Sequence, residues 1–412
     1  MGNVFWSNAN SFTSSAFGLL TSALLFRVVG KKIYGEYLFV LGIFGLLSVL
    51  SIPGVRTVIF RTISQGSDGV YSKATKFSFI WSLIGIPLLL ISGGFVYFFK
   101  ARSSGITLIL SAFFFPLITS FQTWIPFLKA KAAFKRLFVY NLARFLIKLI
   151  ALVCVLSITK NLTVIVMTHL LTMGGLNILY YFSTLASRRN STVDIGWRKQ
   201  SYALTVMDLS SLAFGQVDVA LLGFLFPFDA LAIYGIVMRV GTLFFSLIRS
   251  TIEGILPSLF RSAGIQLNDF FAMFGLAFLI PVVLYPIIHF PLVLVYGWEA
   301  SELVTYCQVY VLIIPVYFLN SITASFMIKY QLNKEINISR ISGIVAVLIL
   351  YSCLIPLYGI WGGVISSMLF YVVLLGMNFT FLRFTNRKQQ RECTTKRWEK
   401  REMLGPFVSD VK

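Results

Sequence analysis

Charge is scarce in this chain, and negative charge scarcest of all. Fifteen aspartates and glutamates face 35 lysines and arginines, and the four charged types make up only 12% of 412 residues, about half the usual share of a soluble domain. Cysteine is sparse: Cys154, Cys307 and Cys353 fall in apolar stretches and Cys393 in a basic tail, with no metal-ligand spacing and no evident disulfide partner. No nucleotide-binding loop, metal cluster or nucleophile–base pair can be traced, which leaves catalysis and nucleotide-driven transport without support. A large loop able to fold outside a membrane is also missing. The opening stretch MGNVFWSNANSF lacks the basic start of a cleavable signal, because Arg27 follows the first apolar run instead of preceding it.

What is present is apolar. The chain is 57% hydrophobic with a mean hydropathy of +0.83, more apolar surface than a soluble protein of this size could hide. Runs of about 20 apolar residues, each long enough to span hydrocarbon as a helix, recur along the whole length. The pattern predicts an all-α polytopic membrane protein with twelve spans: 9–29, 37–60, 78–99, 106–127, 137–159, 161–182, 202–226, 230–252, 270–293, 302–328, 340–357 and 359–382. An even number puts both termini on one side. With the termini inside, inner loops and tail hold 24 of the 35 basic residues, and the outer loops hold five: Lys31, Lys32, Lys100, Arg102 and Lys160. Positive charge stays inside, so both ends are expected in the cytoplasm. The net charge of +20 favours anionic lipid or anionic substrate as partner. The basic residues are scattered over short loops, which gives nucleic acid no groove to bind. The tail, 383–412, reads as a solvated basic segment held near anionic lipid.

The sequence also repeats. Shifted by 200, residues 25 to 61 match 225 to 261 at twelve of 37 positions without a gap, including Tyr34–Gly35 against Tyr234–Gly235, Gly54 against Gly254, and Phe60–Arg61 against Phe260–Arg261. Spans 1–2 thus correspond to spans 7–8. The offset of six helices predicts two six-helix bundles, 1–200 and 201–382, related by a pseudo-two-fold along the membrane normal, as in transporters with a central site between two bundles.

The stretch RVVGKKIYGEY, followed by SIPGVRTVIFR at the close of span 2, resembles the start of polysaccharide flippases of the multidrug/oligosaccharidyl-lipid/polysaccharide (MOP) exporter superfamily. Length, span number and repeat are similar to those of O-antigen repeat-unit flippases over the whole chain. The resemblance implies alternating access by two bundles in a bacterial inner membrane. It implies as cargo a polyprenyl-pyrophosphate-linked oligosaccharide bound for lipopolysaccharide or a related surface polysaccharide, and as neighbours a polysaccharide polymerase and its chain-length machinery. Two rivals differ. A polysaccharide polymerase or ligase would carry a large catalytic outer loop, and a multidrug antiporter of the same superfamily would want a less basic lumen.

Charge inside the membrane needs a reason, since a charged side chain at mid-bilayer costs about 2.5–3.5 kcal/mol on the lenient scale. Span 5 carries Arg144 and Lys148 on one helical face, with Lys148 near the midplane. They fit either an ion pair with a neighbouring acid or an anionic ligand, and two like charges on one turn suit the anion better. Span 8 places Arg239, Thr242, Ser246, Arg249 and Glu253 on a narrow arc, and Arg249 and Glu253 can pair locally. Span 7 aligns Ser201, Thr205, Asp208, Ser211, Gly215 and Asp218. Asp208 and Asp218 have two roles open to them: neutralising the buried cations, or carrying the proton or sodium ion that drives turnover. His169 and His289 read as satisfied packing residues before proton relays. Span 1 offers a polar stripe, Asn10, Ser11, Ser14, Gly18, Thr21 and Ser22. Arg27 points away from it and reads as an interfacial anchor. The expected lumen holds Arg144, Lys148, Arg239 and Arg249 against Asp208 and Asp218, a cationic balance suited to pyrophosphate or acidic sugars. Prolines 87, 116, 126, 281, 286, 291 and 315 place kinks in spans 3, 4, 9 and 10.

The charge asymmetry makes a direct prediction. Reporter fusions after Arg188 and Lys388 should read cytoplasmic and one after Asp229 periplasmic; a periplasmic reading at Lys388 contradicts the twelve-span topology.

Overall fold

The structure is a computed structural model and describes residues 2–194, 196–261, 275, 278–279, 281–297, 301–329 and 332–403. Every regular element among them is helical. Helix α1 (Gly2–Leu47) holds span 1 and the first part of span 2. The expected outer loop shrinks to a break at Gly30, whose φ of 83° and ψ of 171° is a conformation open essentially to glycine alone. After a 3₁₀ turn at Ser48–Ser51, Pro53 opens α2 (Gly54–Ser64) and completes span 2. Span 3 is α3 (Val70–Ser82) and α4 (Gly85–Phe99), parted just ahead of Pro87; span 4 is α5 (Arg102–Ser111), α6 (Phe115–Ser120) and α7 (Trp124–Ala130), parted by 3₁₀ turns ahead of Pro116 and Pro126. Proline has no N–H to give the preceding turn, and each break falls where that bond is lost.

Spans 5 and 6 are unbroken, α8 (Phe134–Ile158) and α9 (Leu162–Leu185). The second half follows with α10 (Trp197–Leu225), α11 (Phe228–Arg261), α12 (His289–Tyr296), α13 (Ser301–Val311), α14 (Ile314–Lys329), α15 (Asn333–Tyr358) and α16 (Ile360–Met403). The first part of the expected ninth span, with residues 262–274, lies outside the described residues, as does the end of the tail. The tail differs from expectation in one respect: α16 runs on without a break from span 12 to Met403, 44 residues in all.

Among the described residues nine helical segments are long and apolar enough to cross a membrane, and the first, 47 residues long, has length for two passages at about 1.5 Å per residue. Large apolar side chains such as Phe98, Ile158 and Leu171 face outward from them. This is a multi-pass membrane protein of the two-lobe helical class, and we call α1–α9 and α10–α16 its first and second lobes. The turns near 100, 226 and 359 gather at one end, which we call distal: the Lys100 ammonium donates to the carbonyls of Phe224 and Phe226 at 2.8 and 2.9 Å, and Gly359 lies against the Phe226 ring. The opposite, proximal end holds the start of α1 and the far end of α16.

Small residues seam the lobes, as they must where lipid offers no hydrophobic drive to bring helices together. Gly42 and Gly45 receive Val219 and Gln216 of α10, and Gly54 lies on the backbone of Ser201 and Thr205. The repeat acquires a physical meaning at the distal end. A Cβ on Gly35 would meet the Phe228 carbonyl oxygen at 1.8 Å, and one on Gly235 would meet Leu38 Cδ1 at 2.3 Å. The repeat-matched glycines are the points where α1 and α11 cross.

Gly35→Ala should therefore destabilise the protein by about 1–3 kcal/mol, read as a lower unfolding midpoint in detergent. Gly235→Ala should cost less, because its obstacle is the flexible end of a leucine. Gly94, with nothing within 4 Å of a built Cβ, is the control; an unchanged midpoint for Gly35→Ala would contradict the crossing.

Candidate substrate cavity

The cations expected on separate spans meet. Helix α8 buries Arg144 and Lys148, 8% and 6% exposed, on the face turned toward α1 and the second lobe. Helix α11 brings Arg239 from that lobe, its Nη1 donating to the Gly18 carbonyl at 3.3 Å. Lys148 lies within electrostatic reach of both Arg239 and Arg144. Among the described residues no carboxylate pairs with any of the three.

Their surroundings compensate only in part. Arg144 stacks over Trp124 at 5.4 Å and Phe145 at 5.3 Å, and Lys148 lies 5.8 Å from the Phe145 ring. Such contacts with aromatic faces offset some of the cost of desolvation. Asn177, fully buried, accepts from Trp124 Nε1 at 3.2 Å and from Arg144 Nη1 at 3.4 Å, and donates to the Ile118 carbonyl at 3.3 Å. This holds the guanidinium in place through two helices. Arg144 Nε is nonetheless buried with no acceptor among the described residues, and so is the Tyr34 hydroxyl. A buried donor left unmade costs about 1–3 kcal/mol, so the site has donors to spend on an acceptor-rich ligand.

Above this cluster, toward the distal end, aromatics close the space. Tyr34 and Tyr37 stack at 6.3 Å and Phe26 meets Tyr296 edge-on at 5.7 Å. Tyr37 hydroxyl and His169 Nδ1 are hydrogen-bonded at 2.7 Å, and Ser22 and Tyr296 share a hydrogen bond of 2.6 Å. His169 is thus a partnered packing residue, and His289 is exposed at the start of α12. Below the cluster, toward the proximal end, a cavity of about 520 Å³ opens between the lobes. Asn10, Ser11 and Ser14 of the α1 stripe line one wall, and Thr242, Ser246 and Arg249 of α11 the other. Ser15 and Ser246 bridge them at 3.2 Å, and Asn141 of α8 donates to Asn10 at 2.7 Å.

The remaining expected residues are placed less centrally. Arg249 is exposed at the proximal mouth, apart from the deep cluster. Asp218 is buried inside the second lobe, accepting from the Tyr234 hydroxyl at 2.5 Å and from Val219 N at 2.8 Å. Tyr234 and Tyr351 both reach Ser367, at 3.4 and 3.2 Å. Asp218 therefore answers to tyrosines and not to the buried cations. The Asp208 side chain lies outside the described residues. Arg27 is exposed and donates to the Leu294 carbonyl, so the anchor reading fits and the break at Gly30 comes after it.

Several contributors carried no clear sequence signal. Arg56 sits inside span 2, donates to the Thr119 carbonyl at 3.4 Å, and lies within electrostatic reach of Arg144. Glu36 and Asp68 are buried acids near the two ends, Glu36 accepting from Ser103 and Ser104 at 2.6 and 3.1 Å.

No protein-family model matches the chain, and no curated protein matches its sequence. Solved structures do match. A MATE-family multidrug resistance transporter of the MOP superfamily, in an inward-facing conformation, aligns over 93% of this chain and 96% of its own, with a TM-score of 0.66 and 13% identity. The lipid II flippase MurJ in an inward closed conformation aligns over 92% and 87%, with a TM-score of 0.65 and 15% identity. A MOP superfamily transporter from Pyrococcus furiosus, described by the reversed polarity of its binding pocket, aligns over 92% and 95% at a TM-score of 0.57 and 12% identity. The chain has the fold of MOP-superfamily transporters, with two lobes of helices around a central cavity.

Asn177→Leu tests the scaffold of the cluster. It strips two buried donors of their acceptor and should destabilise by on the order of 1–3 kcal/mol for each group left unpaired. The check is thermal unfolding in detergent; an unchanged midpoint would mean that Asn177 does not hold Arg144.

Proposed function

We propose that this protein is a flippase that carries a polyprenyl-pyrophosphate-linked oligosaccharide across a bacterial inner membrane by alternating access. The observation that carries the reading is the meeting of Arg144, Lys148 and Arg239, two helices of different lobes, with no paired carboxylate among the described residues. Two buried cations and the half-buried Arg239 repel one another and are partly drawn from water; a ligand with two phosphates, each rich in acceptor oxygens, answers both costs at once. An organic cation would add to the repulsion, which disfavours the multidrug-antiporter reading despite the shared fold.

The division of the cavity suits such a cargo. The pyrophosphate belongs on the cluster, and the hydroxyl- and amide-rich walls below it offer hydrogen bonds to a saccharide. Arg249 at the mouth adds a cation for acidic sugars. With both termini in the cytoplasm, the cavity opens toward the leaflet where lipid-linked sugars are assembled, and the aromatic layer at Tyr34, Tyr37 and Tyr296 closes the periplasmic side. Because Arg239 belongs to one lobe and Lys148 to the other, ligand charge bridges them and favours the approach of the lobes. Asp218 is the candidate for proton or sodium coupling, with Asp208 on the same helix as a second acid. Polymerase and chain-length machinery are the expected downstream partners.

The test is the pair of charges on α8. Arg144→Ala with Lys148→Ala should abolish export while the protein still inserts, so that lipid-linked repeat units accumulate in the cytoplasmic leaflet and surface polysaccharide disappears. Lys148→Arg should retain more export than Lys148→Ala, because charge at that depth matters more than shape. Normal export from a well-expressed double variant refutes the assignment.

A further inference from the structure

We infer that the proximal end of the first lobe carries a second anion site, separate from the central cavity, that takes the phosphate of an anionic membrane lipid. A cavity of about 690 Å³ lies where the turns 65–69, 130–133 and 187–190 meet, and it shares no lining residue with the central one. Lys131, Arg136 and Arg189 supply its cations, and Ser187 and Asn190 supply neutral polar groups. Its floor is Ile63, Phe127 and Leu128. Ion-binding groups over an apolar base, at the end of membrane-spanning helices, match a phosphate with acyl chains attached better than a free anion.

The site is built and not merely a scatter of surface charge. Asp68, fully buried beneath it, takes Lys131 Nζ on both carboxylate oxygens at 2.7 and 2.8 Å and the backbone N–H of Arg189 at 2.8 Å. Asn190 ties the same turns together, accepting from Asp68 N at 3.0 Å and donating to the Gly66 carbonyl at 2.8 Å. Arg136 is half-buried and oriented by Tyr140, Ser187 and Ser183 at 2.9, 3.0 and 3.1 Å. Its acceptors, which also include the Ser183 carbonyl, are all neutral, so its charge is unspent, while that of Lys131 is balanced by Asp68. The Arg189 side chain is exposed and makes no hydrogen bond among the described residues. Ala132, in the wall, holds a left-handed φ of 54°. A non-glycine residue keeps that conformation only where its surroundings impose it, and such positions cluster at binding sites.

The test uses the full-length protein in neutral detergent. Thermal unfolding is followed with phosphatidylglycerol, with phosphatidylcholine, or with inorganic phosphate; a ligand that binds the folded state alone raises the midpoint. Phosphatidylglycerol should raise it and phosphatidylcholine should not. Arg189→Gln, which disturbs no internal contact, should lose a clear part of the shift, and Arg136→Gln with Arg189→Gln at least half. Lys199→Gln, an exposed lysine outside the pocket, should keep all of it. A comparable shift with inorganic phosphate supports the anion site but assigns it to a soluble phosphate. A full shift in Arg189→Gln and the double variant, or an equal loss in Lys199→Gln, overturns the proposal.

Discussion

Three cations with no carboxylate partner among the described residues, two of them buried and the third half-buried in the seam between two helical lobes, set the terms for this molecule. Burying one charge in a membrane protein already calls for an explanation; burying Arg144 and Lys148 with Arg239 half-buried within reach of Lys148 calls for a device that makes the state tolerable. The device is local and incomplete. Trp124 and Phe145 present ring faces to Arg144 and Lys148, Asn177 fixes the guanidinium, and the Gly18 carbonyl receives Arg239. The Nε of Arg144 is left over. A polymer selected only for stability would replace such a cluster with apolar residues at little loss, so stability alone does not account for the cluster.

The rest of the fold serves this arrangement. Glycines let α1 and α2 approach α10 and α11 so closely that backbone touches backbone, and hydrogen bonds such as Ser15 to Ser246, Ser22 with Tyr296 and Arg239 to the Gly18 carbonyl cross the seam. Proline-bounded breaks in spans 3 and 4 and a glycine break between spans 1 and 2 give the first lobe places to bend. Asp218 stands apart from the seam in a pocket of tyrosines, and its protonation or ion binding would act on the second lobe from within.

Much of this was legible in the sequence, and the reasons differ by feature. Apolar length gave the spans, because hydrocarbon thickness is a hard constraint on helices. The repeat was readable because Tyr34–Gly35 and Tyr234–Gly235 occupy matched crossings where no side chain fits. Arg144, Lys148 and Arg239 stood out because charge is costly at their depth. What the sequence withheld was contact across the chain: that Asp218 would turn to Tyr234 instead of to a cation, that Asn177 would brace Arg144 from the next helix, and that Asp68 would organise three turns. Amides, hydroxyls and tyrosines carry no periodic signal, so partners far apart in the chain are invisible until it folds. The break at Gly30 was likewise expected as a longer loop, since the charges of Lys31 and Lys32 mask the continuity of the helix.

We propose that the cluster recognises the charge of a lipid-linked pyrophosphate. The most direct measurement is equilibrium binding of a polyprenyl pyrophosphate and of the matching uncharged polyprenol to the purified protein in nanodiscs. The pyrophosphate should bind at least about tenfold more tightly, equivalent to about 1.4 kcal/mol. Equal affinity for the two, or a preference for organic cations over both, would contradict it.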